Sequence, residues 1–365
     1  MPLPLITDMN LSKTFKNKKI ILTGHTGFKG SWLGLWLNSL GADIIGVSKD
    51  IPTKPSHYAL YNNFYYKDLK FDLKNYSKIE NLIKKEKPDF VFHLAAQPIV
   101  LESYIDPYTT YMSNTLGTLN ILESLKKSNH KCTVIMITSD KCYENINKKV
   151  NYKENDRLGG LDPYSSSKAS AELIIRSYYE SYFKTKSSNV RVCSARAGNV
   201  MGGGDWAKYR IVPDCMKSWS EGKKVIIRNA KSTRPWQHVL EPISGYLTLA
   251  KSLLKDQNLN GEAFNFGPNS SSSHTVKELV DNLSLHYPGS ESKVIPDKNK
   301  RYEANLLSLN CLKAKKLLNW SSKINFKNTA KMTSEWYETY YNTSPKNAYK
   351  LSLEQIEQYI ALLDK

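Results

Sequence analysis

The chain has 365 residues, and its hydrophobic fraction of 40% is enough to bury one large domain or two. It carries 52 Lys and Arg against 34 Asp and Glu, a net charge of +18. The lysines come in short groups (Lys16, Lys18, Lys19; Lys84, Lys85, Lys87; Lys126, Lys127, Lys131; Lys223, Lys224) with no single basic tract. This speaks against a nucleic-acid binder and for a solvated surface that also attracts a diphosphate. No run of eighteen apolar residues is present, so no membrane helix is expected. Cys132, Cys142, Cys193, Cys215 and Cys311 are scattered and odd in number, so neither a disulfide framework nor a metal site is indicated. Met1–Asp8 lacks the charged and apolar regions of a signal peptide, and a cytoplasmic home is expected.

In chain order, residues 1–16 read as an arm. Ile20–Thr23 is a buried strand, followed by Trp32, Leu33, Trp36, Leu37 and Leu40 at helical spacing, with Gly41 as the stop. Asp43–Val47, Phe71–Leu73, Phe90–Leu94, Thr133–Ile137 and Val190–Ser194 are further strands, with helical patterns between most of them. Such alternation predicts an α/β fold, a doubly wound parallel Rossmann sheet. From about residue 201 the alternation fades, which predicts a smaller C-terminal substrate-binding lobe over 201–340. One segment of it is free to return to the first domain, 17–200. Residues 341–365 read as a helical tail.

Gly24, Gly27 and Gly30 form Gly-x-x-Gly-x-x-Gly between the first strand and first helix, together with His25, Phe28 and Lys29. Glycines there let backbone N–H groups approach a dinucleotide pyrophosphate at the helix N-terminus. After the second strand, Ser48 is neutral, Lys49 suits a 2′-phosphate and Asp50 suits a ribose hydroxyl, so these residues leave NAD and NADP open. Asp72 reads as an adenine contact beside Leu73, or equally as a helix N-cap. Ala95 and Ala96 suit a backbone lying against the cofactor.

The chemistry-bearing pattern is Tyr164-Ser165-Ser166-Ser167-Lys168. On a helix, residues i and i+4 share a face, and a neighbouring ammonium favours the phenolate. Upstream, Ser139, Asp140 and Lys141 end a strand and so emerge at the carboxyl edge of the sheet, where they suit proton transfer.

With these residues in order, the sequence resembles the extended short-chain dehydrogenases/reductases acting on nucleotide sugars, and within them the branch of CDP-glucose 4,6-dehydratases. The stretches that carry it are Thr23–Leu33, His93–Pro98, Ile137–Asn145, Asp162–Lys168, Ala195–Ala207, Arg234–Leu247 and Asn265–Asn269. The resemblance implies bound NAD, with Tyr164 taking the 4-hydroxyl proton while hydride leaves C4 of the sugar. Lys168 would hold the nicotinamide ribose, and Ser139 would bond the same oxygen as Tyr164. Asp140 would protonate the leaving 6-hydroxyl, and hydride returned to C6 gives a 4-keto-6-deoxy sugar. Lys141 stands where many related dehydratases have Glu, and serves as the C5 base only as a neutral amine. Gln97, Asn199, Arg210 and Arg234 are the implied substrate contacts. Leu101 and Glu102 stand where the family commonly has Arg before a Ser-Tyr pair. Asn114 is expected to brace the sheet. A homodimer or tetramer and a place in deoxysugar biosynthesis for lipopolysaccharide O-antigen are also implied. Competing readings are a 4-epimerase, a dehydratase of another nucleotide sugar, and a non-catalytic dinucleotide sensor; the retained Tyr164 and Lys168 weigh against the last.

Overall fold

The computed structural model describes residues 9–146, 148, 150–268, 273–295 and 307–363. Its centre is a seven-stranded parallel sheet. The strands are β1 (Lys19–Thr23), β2 (Asp43–Ser48), β3 (Lys67–Lys70), β4 (Phe90–His93), β5 (Cys132–Ile137), β6 (Val190–Ala197) and β7 (Ala263–Phe266). Their spatial order is β7-β6-β5-β4-β1-β2-β3. The direction of winding reverses between β1 and β4, and such a switch point opens a crevice at the carboxyl ends of the strands.

These strands read as continuous apolar runs because both faces are covered. Successive residues alternate between two cores. Ile20, Leu22, Ile44, Phe90, Phe92, Ile135 and Ile137 enter one. Ile21, Ile45, Val47, Val91, Val134 and Met136 enter the other. Helices α2 (Phe28–Ser39) and α9 (Leu240–Lys255) cover the first face, and α3 (Tyr76–Glu86), α6 (Gly117–Ser128) and α7 (Pro163–Tyr178) cover the second. β3 lies at the sheet edge and alternates between half-buried and exposed residues.

Three expectations change. Within the expected arm, Met9–Phe15 forms helix α1, and Phe15 is fully buried with its ring 5.0 Å from that of Phe90. Burying a phenyl ring stabilises by about 1.5–3 kcal/mol, enough to dock a two-turn helix. Residues 1–8 lie outside the described residues. The third strand runs over Lys67–Lys70, so Phe71–Leu73 follow it as loop. The apolar pair Phe71 and Leu73 reads as strand, but Leu73 packs beneath Gly117 of α6 instead. At the other end, α12 (Phe326–Asn342) and α13 (Pro345–Leu363) belong to the same core as α2, with Trp336, Ile356 and Tyr359 buried. The expected tail is thus a core element, although Lys365 itself lies outside the described residues. β7 joins the sheet beside β6, pairing from Ala263–Ser194 to Phe266–Ala197.

Candidate active site

The turn between β1 and α2 is tight for a physical reason. Gly24 has φ +74°, and a Cβ there would lie 2.7 Å from the Ala95 nitrogen. A Cβ on Gly30 would lie 2.1 Å from the Gly24 carbonyl oxygen. Gly27 is the N-cap and contributes no side chain, which leaves the first-turn N–H groups of α2 open to an anion. This cradle, closed to any side chain, fits a dinucleotide pyrophosphate.

Not every residue of the turn faces that cradle. The His25 ring is fully buried behind it, with Nδ1 2.9 Å from Ser48 Oγ and Nε2 3.0 Å from Asp68 Oδ1. Burial lowers its pKa, opposed by Asp68. His25 therefore contributes backbone, not side chain, to any ligand contact. Lys29 reaches the other way. Its amine is pushed down to about 8 by burial and by Arg210, with Asp140 opposing, so it belongs to the chemical end of the crevice. Phe28 opens α2 and packs against the first core.

At the carboxyl edge, Ser139 caps a short 3-10 turn over Asp140–Cys142. Ser139 Oγ donates to Asp140 Oδ1 at 2.9 Å, and the Lys141 N–H donates to Ser139 Oγ at 3.3 Å. Asp140 is 3% exposed, and its Oδ2 has no hydrogen-bond partner among the described residues. Burial raises its pKa, against the opposing pull of Lys141. The carboxyl is thereby biased toward its acid form.

Helix α7 starts on the N-cap Asp162, whose carboxylate accepts from the Ser165 N–H at 2.9 Å, with Pro163 in the first turn. Tyr164 and Lys168 follow one turn apart, both buried. The Tyr164 hydroxyl is pushed up to about 12, first by burial; a hydrogen bond with Ser139 and the charge of Arg210 oppose this. In the ligand-free chain, then, Lys168 does not hold Tyr164 low: burial outweighs Arg210, the cation that acts on the phenol. Lys168 is lowered to about 8, by burial first and then by Lys29.

Ser139, Asp140, Tyr164, Lys168, Lys29 and Arg210 thus come together. Other expected residues do not join them. Asp72 neither ends a strand nor caps a helix; Asn75 caps α3, while Asp72 Oδ1 accepts from the Lys74 N–H at 2.9 Å and pairs with Lys74 Nζ at 3.4 Å. The Gln97 amide is tied to the Ile99 carbonyl at 3.0 Å and Thr110 Oγ1 at 2.9 Å, so it braces its own loop and leaves the set of substrate contacts. Ala95 and Ala96 lie just past β4, where the Ala95 N–H donates to Thr23 Oγ1 at 3.2 Å. Asn199 follows β6, and its carbonyl accepts from the Gln237 N–H at 3.1 Å. Arg234 is buried on the short strand Thr233–Arg234, and its Nη1 donates to the Thr233 carbonyl at 2.9 Å. Leu101 and Glu102 sit half-buried on the short helix Val100–Ile105. Asn114 braces the loop after β4 and helix α7 instead of the sheet: its Oδ1 accepts from the Gln97 N–H at 2.8 Å and its Nδ2 donates to Ser167 Oγ at 2.9 Å. Asn269 lies outside the described residues.

A model of the GDP-mannose 4,6 dehydratase family matches residues 21–333. The chain belongs to that family. It is 41% identical over 335 residues to a CDP-glucose 4,6-dehydratase of Salmonella typhimurium, which covers 90% of this chain and 93% of the relative. It is 26% identical to a CDP-paratose 2-epimerase of Salmonella typhi, over 87% of this chain and 98% of that one. Among solved structures, an epimerase from Methanothermobacter thermautotrophicus superposes with TM-score 0.77 at 22% identity, covering 96% of this chain and 99% of that chain. A dTDP-glucose 4,6-dehydratase of Bacillus anthracis in complex with NAD does so with TM-score 0.71 at 24% identity, covering 90% and 98%. The fold is that of these structures, and the chain is an enzyme homologous to dehydratases, which are hydro-lyases.

Sequence reasoning missed two features of this family member. Glu172 and Arg196 form a buried ion pair at 2.7 Å, and Glu172 also accepts from Thr138, the residue before the Ser139–Lys141 turn. Asp205 holds Arg210 at 2.7 Å. Glu172 was within reach of the pattern, since it continues the Tyr164–Lys168 spacing by one more helical turn. Nothing local marks Arg196 or Asp205, because their partners are supplied by the tertiary fold. Among the described residues, no group of three His, Cys, Asp or Glu side chains could hold a metal. All five cysteines are free, and no described helix is long and apolar enough to cross a membrane.

Proposed function

We propose that this enzyme is a CDP-glucose 4,6-dehydratase that works with NAD. The observation that carries the reading is the buried Asp140 carboxyl beside Tyr164, a proton donor that dehydration needs and 4-epimerisation does not. The identity of 41% to the Salmonella typhimurium relative supports the choice of nucleotide. Gly24, Gly27, Gly30 and the first turn of α2 would hold the pyrophosphate, with Lys168 on the nicotinamide ribose. When bound, NAD accepts hydride from C4 of the sugar and returns it to C6.

The chain's own residues handle the protons. Tyr164 as phenolate removes the 4-hydroxyl proton. Its high pKa makes the phenol the resting form, and Arg210, the cation that lowers it, would favour ionisation when substrate is bound. Ser139 donates to the oxygen that becomes the 4-keto group. That keto group acidifies the C5 hydrogen, for which Lys141, next to Asp140 on the same turn, is the candidate base. Asp140 gives its proton to the 6-hydroxyl, which leaves as water. The C5 proton is restored as C6 takes hydride, so the net change is loss of one water. Arg210, anchored by Asp205, together with Arg234 and Asn199, would bind the sugar diphosphate, for which a guanidinium fork is suited.

We also read residues 17–200 and 201–340 as cofactor and substrate lobes, and the protein as a cytoplasmic homo-oligomer in deoxysugar biosynthesis. Ile105, Tyr108 and Leu173 are exposed near the α7 face, 64%, 70% and 56% respectively, an apolar surface suited to pairing two copies. The test is incubation with CDP-glucose, dTDP-glucose, UDP-N-acetylglucosamine and GDP-mannose, with and without added NAD, followed by mass spectrometry. Loss of one water from CDP-glucose is expected. If CDP-glucose alone is left unchanged, the assignment fails.

A further inference from the structure

Glu172 lies four residues after Lys168 and eight after Tyr164, so all three fall along one face of α7. Its carboxylate is 4% exposed. Oε1 accepts from Thr138 Oγ1. Oε2 accepts from Ser194 Oγ at 2.9 Å and from Arg196 Nη2 at 2.7 Å. Thr138 is the residue just before Ser139-Asp140-Lys141, so one end of the catalytic turn is bonded directly to the catalytic helix.

The other end is held through Arg196. Its Nη1 donates to Tyr143 Oη at 2.8 Å and to the Glu154 carbonyl at 2.9 Å. Tyr143 Oη in turn donates to Asn265 Oδ1 on β7 at 2.7 Å. The guanidinium also lies 4.9 Å from the Tyr143 ring centroid. Residues 138 and 143 are therefore both fastened to the Glu172–Arg196 pair, with Ser139, Asp140 and Lys141 suspended between them.

We propose that Glu172 is a positioning residue of the reaction: its carboxylate sets the Thr138–Lys141 turn against the Tyr164–Lys168 helix and is the counter-charge of Lys168. A purely structural ion pair would be replaceable by apolar residues of similar volume. Here the carboxylate also has an electrical task. Burial and Lys29 both pull the Lys168 pKa down, while Glu172, followed by Cys142, pulls it up. The groups facing Glu172 are Arg196, Thr138 and Ser194, and they keep it ionised against burial. Arg196 keeps Glu172 ionised at 2.7 Å, and Glu172 in turn acts on Lys168 one helical turn away.

This inference rests on the dehydratase reading for the roles of Tyr164 and Lys168, but its test does not require the substrate. In the full chain without cofactor, competitive acylation with acetic anhydride across pH, read by peptide mass spectrometry, titrates Lys168. The wild-type midpoint is expected at about 8. Glu172→Gln should lower it by about one pH unit, because it removes the negative charge one helical turn from the amine. Thr138→Val should leave the midpoint in place and lower kcat about tenfold at unchanged KM, since it frees the turn and not the charge. Should Glu172→Gln be insoluble, the double variant Glu172→Gln with Arg196→Met, which removes the buried pair together at similar volume, should show the same downward shift. An unmoved midpoint in whichever of these folds overturns the counter-charge, and full kcat in Thr138→Val overturns the positioning of the turn. Failure of CDP-glucose turnover in every variant and in wild type would instead count against the dehydratase reading.

Discussion

Gly198 stands directly against Asp140: a Cβ on residue 198 would lie 3.2 Å from Asp140 Oδ2, the buried oxygen without a partner among the described residues. On the dehydratase reading proposed above, glycine here keeps open the approach to the oxygen that would deliver a proton. Gly198→Ala places a methyl against it at a distance tighter than ordinary contact. The expected result is a folded protein in which water loss falls about tenfold, or about 1.4 kcal/mol of barrier. Oxidation at C4, read as a transient of NADH absorbance, should change less. Equal loss of both steps would show that Gly198 serves the fold and not the acid.

Asp140→Asn tests the acid itself. The amide keeps the size of the carboxyl and loses its transferable proton. Water loss should fall by about 10²–10⁴-fold, the usual contribution of a general acid, while NADH absorbance still rises on mixing with substrate. The pH sign also follows. Burial raises the Asp140 pKa, so the acid form persists above the ordinary carboxyl range, and dehydration declines as pH climbs through the raised value. An Asn variant that dehydrates at the wild-type rate would remove Asp140 from the mechanism.

The sheet and the core of this site were legible for a definite reason. Parallel strands covered on both faces must be apolar throughout, so Ile20–Thr23 and Thr133–Ile137 stand out in sequence, and the glycine turn is required by backbone contacts at Gly24 and Gly30. The i, i+4 relation of Tyr164 and Lys168 is equally local. The electrostatic consequence was not legible. Whether a lysine lowers a tyrosine pKa depends on how much water each keeps, and at Tyr164 burial dominates. The fate of Gln97 and His25 was hidden likewise, since Thr110, Ser48 and Asp68 become their partners only through tertiary contact. Residues 9–15 and α13 were misjudged because short or terminal segments look dispensable until the surface that buries Phe15 and Tyr359 exists.

NAD affinity should depend on alkaline pH through Lys168. In the ligand-free chain its pKa is lowered to about 8, and an anionic cofactor favours the protonated amine. By linkage, binding raises that pKa, and affinity falls by up to tenfold per pH unit above about 8 for each lysine that must stay charged. Lys29→Met removes the neighbouring cation that depresses Lys168. Its alkaline limb should therefore lie at higher pH than the wild-type limb. Calorimetric titration of NAD across neutral to alkaline pH measures both curves, and coincident limbs would rule out the coupling of Lys29 to Lys168.

The C-terminal helix is tied down by a buried carboxyl, and this should appear in stability. Glu241 Oε1 accepts from the N–H groups of Lys323, at 2.8 Å, and Ile324, at 2.5 Å, and Oε2 accepts from Tyr359 Oη of α13 at 2.7 Å. Burial raises its pKa from 4.5 to about 7 despite these donors. The folded-state value is above the unfolded one, so the unfolded chain loses its proton first. The associated stability is fully present below about 4.5 and is lost as pH rises through about 7. A shift of this size corresponds to roughly 3 kcal/mol. Glu241→Gln should flatten that part of the difference between variant and wild type in chemical denaturation. Glu241→Ala should instead destabilise at every pH by about 1–3 kcal/mol for each buried donor left unmatched. Parallel stability curves for wild type and Glu241→Gln between about pH 4.5 and 7 would mean that another carboxyl carries the dependence.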